Sequence, residues 1–131
     1  MKKTGRAWMI AFFVATGVLA AGLRARAEVK ILTTRQVVAL LKGERDRVFL
    51  LDVRTPGEFR RGHIPGAVLI PMREVPRRLG EIPRDRKVVV VCASGARSAA
   101  VAGFLDRQGY PWVANYAGGV FAWVQAGLPL E

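Results

Sequence analysis

The sequence predicts an α/β sandwich, in which helices flank a parallel β-sheet. From about residue 33 onward, short apolar runs alternate with segments of helical periodicity, which is typical of this class. The strongest run, Val88–Val91, is apolar without alternation, as expected for a central parallel strand that is covered on both faces. The chain has 131 residues, enough for one domain of this kind and too few for two ordinary ones.

The first half of the domain predicts a helix, a strand and a short second helix. Thr33 or Thr34 caps the first helix, which ends at Gly43. The apolar run at 48–51 is bounded by charged residues and has the length of a buried strand. Residues 55–58 predict a turn that opens a short helix, because proline suits the first position of a helix.

The second half of the domain continues the alternation of predicted strands and helices. A glycine-rich turn at 62–66 leads into another apolar run at 68–70, and Pro76 limits residues 73–79 to short helical pieces. After the strand at 88–91, the remaining predicted elements are a helix at 98–108 that Gly109 ends, a strand at 112–116 and a last helix at 119–126.

The segment at 1–27 predicts an export signal. Its basic residues Lys2, Lys3 and Arg6 precede an uncharged stretch at 7–23, and small residues follow at the cleavage-recognition positions. We expect a signal peptide that is cleaved after Ala27. An uncleaved membrane anchor is the alternative, because the stretch lies at the short edge of what spans a bilayer. Both interpretations place the domain at 28–131 outside the cytoplasm, in the periplasm or at the outer face of the inner membrane.

The composition excludes several kinds of site. The chain has one cysteine, Cys92, and one histidine, His63, so intrachain disulfides, zinc-finger spacings and iron–sulfur ligand sets are excluded. We expect no metal and no cofactor. The formal net charge is +11, but five basic residues and no acidic ones lie in the segment at 1–27. The domain itself therefore carries 16 basic and 10 acidic groups, a net charge of +6.

The loop after Val88–Val91 predicts a reactive cysteine. Cys92 directly follows this strand, at the edge where open α/β sheets place ligands. The small residues at 93–96 allow a tight curl whose backbone N–H groups point inward, next to a helix N-terminus, which favours an anion. We therefore expect a lowered pKa for Cys92, with Arg97 adding a cation and a bidentate donor. The alternative is a buried, inert cysteine.

These motifs, in this order, resemble the rhodanese family of sulfurtransferases. The resemblance runs from about Leu32 to Pro129 and implies a three-layer α/β/α fold with a five-stranded parallel sheet. It also implies that Cys92 accepts a sulfane sulfur from a donor, becomes a persulfide and passes the sulfur to a nucleophile. The matching segments are Leu51-Asp52-Val53-Arg54 with Glu58-Phe59, Gly62-His63-Ile64-Pro65-Gly66-Ala67, the loop from Cys92 to Arg97, Gly118-Gly119 with Trp123, and Gly127-Leu128-Pro129.

The resemblance further implies that the residues after Cys92 form a cradle around the sulfur. Four residues separate Cys92 from Arg97, which is the sulfurtransferase loop length, whereas phosphatases of the same fold carry one residue more. The cradle residues are Ala93, Ser94, Gly95, Ala96, Arg97 and Ser98.

Three functions remain open on this basis. The first is a sulfurtransferase that moves sulfur from thiosulfate or a related small anion to cyanide or a thiol. The second is a sulfur carrier or binding module that serves partner proteins. The third, which the loop length disfavours, is a phosphatase or arsenate reductase. We expect no nucleic-acid partner, and a membrane only if the N-terminal segment is uncleaved.

Other motif residues are expected to support the loop. Asp52, Arg54 and Glu58 are predicted to pair with one another and brace the loop ends. His63 is expected to fix its turn by hydrogen bonding rather than to carry protons, and Trp123 to lie in the core. The basic clusters lack interleaved aromatic residues, which favours a solvated face, with steering of a dianionic donor as the alternative.

Overall fold

A five-stranded parallel sheet lies at the centre of the fold. The computed structural model describes residues 28–131, so the predicted export signal at 1–27 lies outside the described residues. The strands are β1 (Lys30–Leu32), β2 (Val48–Asp52), β3 (Val68–Leu69), β4 (Lys87–Val91) and β5 (Val113–Tyr116). Their order in the sheet is β1-β5-β4-β2-β3, and every neighbouring pair is parallel.

Helices cover both faces of the sheet. The helices are α1 (Thr34–Gly43), α2 (Pro56–Arg60), α3 (Ala96–Arg107) and α4 (Gly119–Gln125), and short 3₁₀ helices span Arg45–Arg47, Met72–Glu74 and Pro76–Glu81. One apolar cluster packs β4 against α3, and a second cluster packs the opposite face against α1 and α4. Within β4, Val88 and Val90 belong to the first cluster and Val89 and Val91 to the second. The predicted three-layer α/β/α arrangement is therefore confirmed.

The structure contains a strand and a 3₁₀ helix (Arg45–Arg47) that were not predicted from the residues, and one helix begins earlier than predicted. Strand β1 was not predicted from the residues, because it is a three-residue edge strand in which only Leu32 is buried. Helix α3 begins at Ala96, two residues earlier than predicted, since Gly95 adopts a left-handed conformation and turns the loop directly into the helix. Within residues 28–131, no helix is long and apolar enough to cross a bilayer.

The predicted core position of Trp123 is confirmed. Its side chain is buried in the cluster that packs α4 against the sheet, and its indole N–H donates to the carbonyl of Pro129 at 2.8 Å. This bond returns the chain after α4 toward the domain, which positions the C-terminal residues near the carboxyl edge of the sheet.

Candidate active site

The loop between β4 and α3 curls around the sulfur of Cys92. Gly95 makes this curl possible with a φ of 97°, a left-handed conformation that favours glycine. A Cβ atom at Gly95 would lie against the carbonyl oxygen of Ala117. The side-chain amide of Asn115, at the end of β5, donates to the Gly95 carbonyl at 3.3 Å. The next strand of the sheet therefore fixes the tip of the loop.

Three hydrogen-bond contacts converge on the Cys92 sulfur. The N–H groups of Gly95 and Ser98 donate to it at 3.1 and 3.4 Å, and the Ser98 hydroxyl oxygen lies 3.2 Å away. Cys92 is 1% exposed and Ser98 is fully buried. The loop therefore closes around a single sulfur atom.

This surrounding lowers the pKa of the Cys92 thiol. Burial of the sulfur opposes ionisation and is the largest single effect on that pKa. It is outweighed by the hydroxyl and N–H of Ser98 and the N–H of Gly95, with a further contribution from the backbone N–H of Ser94. The thiolate, which is the nucleophilic form, is thus favoured relative to an ordinary cysteine.

Helix α4 supports the same loop from its other side. The N–H of Val120 donates to the Cys92 carbonyl at 2.9 Å, and the N–H of Phe121 donates to the Ala93 carbonyl at 3.1 Å. Gly119 allows this approach, because a Cβ there would collide with the backbone of Cys92 and Ala93. The sequence marks Gly119 as part of a motif and as the start of the last helix, but it predicts neither this contact nor that of Asn115. A glycine at the start of a helix does not indicate, in the sequence, which distant backbone segment it contacts in the folded protein.

Arg97 is held by an ion pair that the sequence did not predict. Both terminal nitrogens of Arg97 donate to the carboxylate oxygens of Glu58, at 2.8 and 2.9 Å. The expectation that Glu58 pairs with Asp52 and Arg54 is wrong, since only its backbone carbonyl accepts from Arg54. The reason is local: Thr55 and Glu58 form a capping box at the start of α2, which turns the Glu58 side chain back toward the helix N-terminus.

This ion pair strongly favours the charged forms of both partners. The Arg97 hydrogen bonds lower the pKa of Glu58 to about 2, against partial burial and with help from Thr55. The same contact raises the pKa of Arg97. Because the guanidinium is already bound in a bidentate pair, an incoming anion has to share Arg97 with Glu58.

Asp52 and Arg54 form a buried ion pair next to the loop, as predicted. The Arg54 side chain binds both carboxylate oxygens of Asp52, the shorter contact being 2.7 Å. It also donates to the Gly62 carbonyl at 2.9 Å, so it joins the end of β2 to the turn after α2. This arrangement fits a bracing role.

His63 lies in the turn and has the structural contacts that were expected. Its Nδ1 lies 3.1 Å from the Phe59 carbonyl oxygen, and its ring stacks on that of Phe59 at 3.7 Å. His63 also pairs through its backbone with Glu131, at 3.0 and 2.8 Å. The turn and the C-terminal residues are therefore joined beside the site.

Two clefts flank the Glu58–Arg97 pair. The basic cleft, of about 730 Å³, is lined by Arg97, Arg73 and Arg77, with Glu74 paired to Arg77. The apolar cleft, of about 610 Å³, is lined by residues from the loop, α4 and the C-terminal segment. Its apolar wall is formed by Ala93, Val120, Phe121, Val124 and Leu130, and its polar lining residues are Arg54, Glu58, Arg61 and Gln125.

Fold and site together define a class of α/β protein that carries a buried, hydrogen-bonded loop cysteine at the carboxyl edge of a parallel sheet. Comparison with known proteins identifies the family within this class. The sequence profile of the Rhodanese-like domain matches residues 33–126, and this chain belongs to that family.

Relatives in the family include sulfurtransferases. A sulfurtransferase of Allochromatium vinosum is 49% identical over 83 residues, which cover 63% of this chain and 78% of the relative. The thiosulfate sulfurtransferase GlpE of Pseudoalteromonas translucida is 30% identical over 97 residues, covering 74% of this chain and 90% of the relative. The crystal structure of a rhodanese-related protein from Thermoplasma volcanium superposes with a TM-score of 0.69 at 31% identity, covering 78% of this chain and 97% of that chain.

Proposed function

We propose that this protein is a sulfurtransferase that takes a sulfane sulfur from thiosulfate, or a related small anionic donor, and passes it to cyanide or a thiol. The observation that carries the proposal is the ring of donors around the Cys92 sulfur, formed by Gly95 and Ser98. Relatives named as sulfurtransferases support the reaction class.

The reaction has two steps at the same sulfur. The Cys92 thiolate attacks the sulfane sulfur of thiosulfate, the S–S bond of thiosulfate breaks, and its electron pair leaves with sulfite. Cyanide or a thiolate then attacks the outer sulfur of the persulfide, and the electron pair of the broken S–S bond returns to Cys92. The N–H groups that stabilise the resting thiolate also stabilise the charge of the persulfide and of the leaving thiolate.

The tightness of the loop supports transfer of sulfur over transfer of phosphate. The N–H groups of Gly95 and Ser98 lie within hydrogen-bond distance of the sulfur itself, so the ring fits closely around one sulfur atom. A phosphate bound to the same cysteine would need a ring wide enough for its oxygen atoms.

Turnover with defined substrates tests the proposal. The protein is expected to form thiocyanate from thiosulfate and cyanide, and Cys92→Ser is expected to abolish this activity, since a hydroxyl is a far weaker nucleophile at the same size. Aryl phosphates are the control substrates. Efficient phosphate hydrolysis with no sulfur transfer from any donor would contradict the proposal. A persulfide that is passed only to a protein acceptor would instead identify a sulfur carrier.

We further propose that residues 1–27 direct export. The support is the order of basic, apolar and small residues in this segment. The mass of the protein recovered from producing cells is expected to show Glu28 as the first residue. Intact chains in the membrane fraction would indicate an anchor, and soluble intact chains in the cytoplasm would contradict export.

A further inference from the structure

A further pocket lies at the amino edge of the sheet, away from Cys92. It is bounded by the start of β2, the turn before β3 and the residue before β4, and has a volume of about 400 Å³. Arg86 precedes the five-residue strand β4 and Cys92 follows it, so the two residues lie on the order of 20 Å apart. This amino-edge pocket is therefore separate from the reactive loop.

Two arginine side chains line the amino-edge pocket, and each is anchored at the start of a strand. Arg45 donates from Nη2 to the carbonyl of Pro65 at 3.1 Å, in the turn before β3. Arg86 donates from Nη2 to the carbonyl of Val48 at 2.7 Å, the first residue of β2. Because β2 and β3 are adjacent strands, about 4.8 Å apart, the two guanidinium groups are held near each other.

Local packing fixes both guanidinium groups. Gly66, whose φ of 83° favours glycine, leaves room for Arg45, since a Cβ there would lie 2.5 Å from Arg45 Nη2. The Cζ of Arg86 lies 5.6 Å from the centre of the Phe49 ring, within range of a cation–π contact. Only Nη2 of each guanidinium donates to a protein group within residues 28–131, so both Nη1 groups remain available to a ligand.

The positive charge of this pocket is not neutralised within residues 28–131. Neither Arg45 nor Arg86 forms an ion pair there, and the carboxylate of Glu44 is bound by Lys87 at 2.9 Å. Asp46 also lines the pocket but pairs with neither arginine. The Nε of Arg86 is buried and has no hydrogen-bond partner in the same range, which leaves this guanidinium poorly compensated. Two arginines against one aspartate give the pocket a net positive charge.

We propose that the amino-edge pocket is a second anion site, which binds a tetrahedral oxyanion of the phosphate or sulfate class between Arg45 and Arg86. Planar guanidinium groups donate paired hydrogen bonds to the oxygens of such anions, and a tetrahedral anion engages both groups at once. The pocket volume of about 400 Å³ also admits the organic part of a monoester, which would lie against Leu41 and Leu50. The site is independent of any chemistry at Cys92.

Binding is tested by titrating inorganic phosphate into the protein while backbone NMR resonances are followed, with the ionic strength held constant by chloride. We expect saturable shifts at Gly66 and Arg86, with a dissociation constant on the order of 1 mM. Arg86→Gln should raise this constant about tenfold, because it removes a charged donor. Absence of saturable shifts at the pocket, or shifts confined to Gly95 and Ser98 of the reactive loop, would overturn the proposal.

Arg47→Gln is the matched control for the loss of one positive charge. Arg47 belongs to the same 3₁₀ helix as Arg45 and is exposed, but it does not line the pocket. We expect Arg45→Gln to weaken phosphate binding about tenfold and Arg47→Gln to change it less than about twofold. Equal weakening by both substitutions would indicate nonspecific attraction to surface charge and would overturn the proposal.

Asp46→Asn provides a test of opposite sign. The carboxylate of Asp46 shares the pocket with the bound anion, so its removal is expected to tighten phosphate binding about two- to fivefold. Asp46 is exposed, so this substitution leaves the fold intact, whereas Arg86→Gln also removes the bond to Val48. An unchanged or weaker affinity would contradict the placement of the anion in this pocket.

A series of anions tests the class of ligand. Sulfate is expected to bind comparably to phosphate, and acetate about tenfold more weakly, since a planar monoanion has fewer oxygens for the two guanidinium groups. Acetate binding as tight as phosphate binding would overturn the tetrahedral class. Glycerol phosphate distinguishes the two sources of this chemistry. Tighter binding than inorganic phosphate identifies a monoester as the ligand, and equal or weaker binding identifies the free anion.

Persulfide loading from thiosulfate separates this site from the proposed function. Arg45→Gln and Asp46→Asn are expected to load sulfur at the native rate, because the pocket lies far from Cys92. Loss of loading in either folded variant would contradict the independence of the two sites. Failure of the native protein to load would contradict the proposed function alone, since the phosphate titration does not involve Cys92.

Discussion

At the scale of single residues, the reactivity of Cys92 is a balance between two opposing effects. Burial of its sulfur destabilises the thiolate, while the hydrogen bonds of the loop stabilise it by a larger amount. The sequence predicted the lowered pKa from small loop residues and from Arg97. In the structure Ser98 is the principal favourable contributor, and Arg97 is bound to Glu58. The predicted contribution of the loop backbone is therefore present, and the Ser98 hydroxyl rather than Arg97 is the main side-chain contribution.

Removal of the Ser98 hydroxyl is expected to raise the pKa of Cys92. The Ser98→Ala variant loses one hydrogen bond to a charged sulfur, and such a bond is worth about one pKa unit or more. The measurement is the rate of alkylation as a function of pH. Ser94→Ala is the matched control, because Ser94 contributes its backbone N–H and its exposed side chain forms no bond to the sulfur. An unchanged midpoint in Ser98→Ala would contradict this assignment.

The Glu58–Arg97 pair predicts a loss of stability in acid. The pKa of Glu58 is lowered from its ordinary value of 4.5 to about 2 in the folded protein. Between pH 4.5 and about pH 2 the unfolded chain binds more protons than the folded protein does. The contribution of the ion pair to folding stability is therefore complete above pH 4.5 and is lost as the pH falls toward 2. Because the pair is partly exposed, its contribution is on the order of 1 kcal/mol.

Chemical unfolding of the native protein and of Glu58→Gln over this pH range provides the measurement. The native protein is expected to be the more stable of the two at neutral pH, and the difference should shrink as the pH falls below 4.5. Glu28→Gln, at an exposed position, is the control variant. A stability difference that is constant over the whole range would contradict the ion-pair account.

At the scale of elements, the active loop depends on close contact between three segments. The loop after β4 receives hydrogen bonds from the start of α4 and from Asn115 at the end of β5. The loop, the central strand and α3 were predictable, because apolar runs and small residues are local signals. The contacts of Asn115 and Gly119 were not, since they join groups that lie far apart in the sequence and depend on how the helices pack.

Gly119→Ala is expected to damage both the fold and the activity. The added Cβ would collide with the backbone of Cys92 and Ala93, at a residue whose φ of 63° already favours glycine. We expect a loss of stability of about 2 kcal/mol or more and slower persulfide formation. Thermal unfolding and persulfide loading are the two measurements.

Gly80→Ala is the matched control for this substitution. A Cβ at Gly80 meets nothing within 4 Å, and its φ is not positive. The control is therefore expected to retain both stability and loading. If Gly119→Ala behaved like Gly80→Ala, the close contact between α4 and the loop would not be needed for the site.

At the scale of the whole molecule, apolar clusters on both faces of the sheet stabilise the fold, while the cysteine loop and the clefts lie at its carboxyl edge. Cys92 follows the central strand β4, and the two clefts open on either side of the Glu58–Arg97 pair at the same edge. The parallel sheet and the cysteine loop were predictable from the sequence. The clefts were not, because their walls combine side chains from distant segments: residues 53–56 and 71–77 in the basic cleft, and α4 with the C-terminal segment in the apolar cleft.

The central claim is that Cys92 carries a sulfane sulfur, and the intact mass of the protein after incubation with thiosulfate tests it most directly. We expect a gain of about 32 Da, one sulfur atom, located on the peptide that contains Cys92. Cyanide should remove this mass, and Cys92→Ser should never acquire it. A protein that gains no mass from thiosulfate or any other sulfane donor, or that gains it at a residue other than Cys92, would contradict the account.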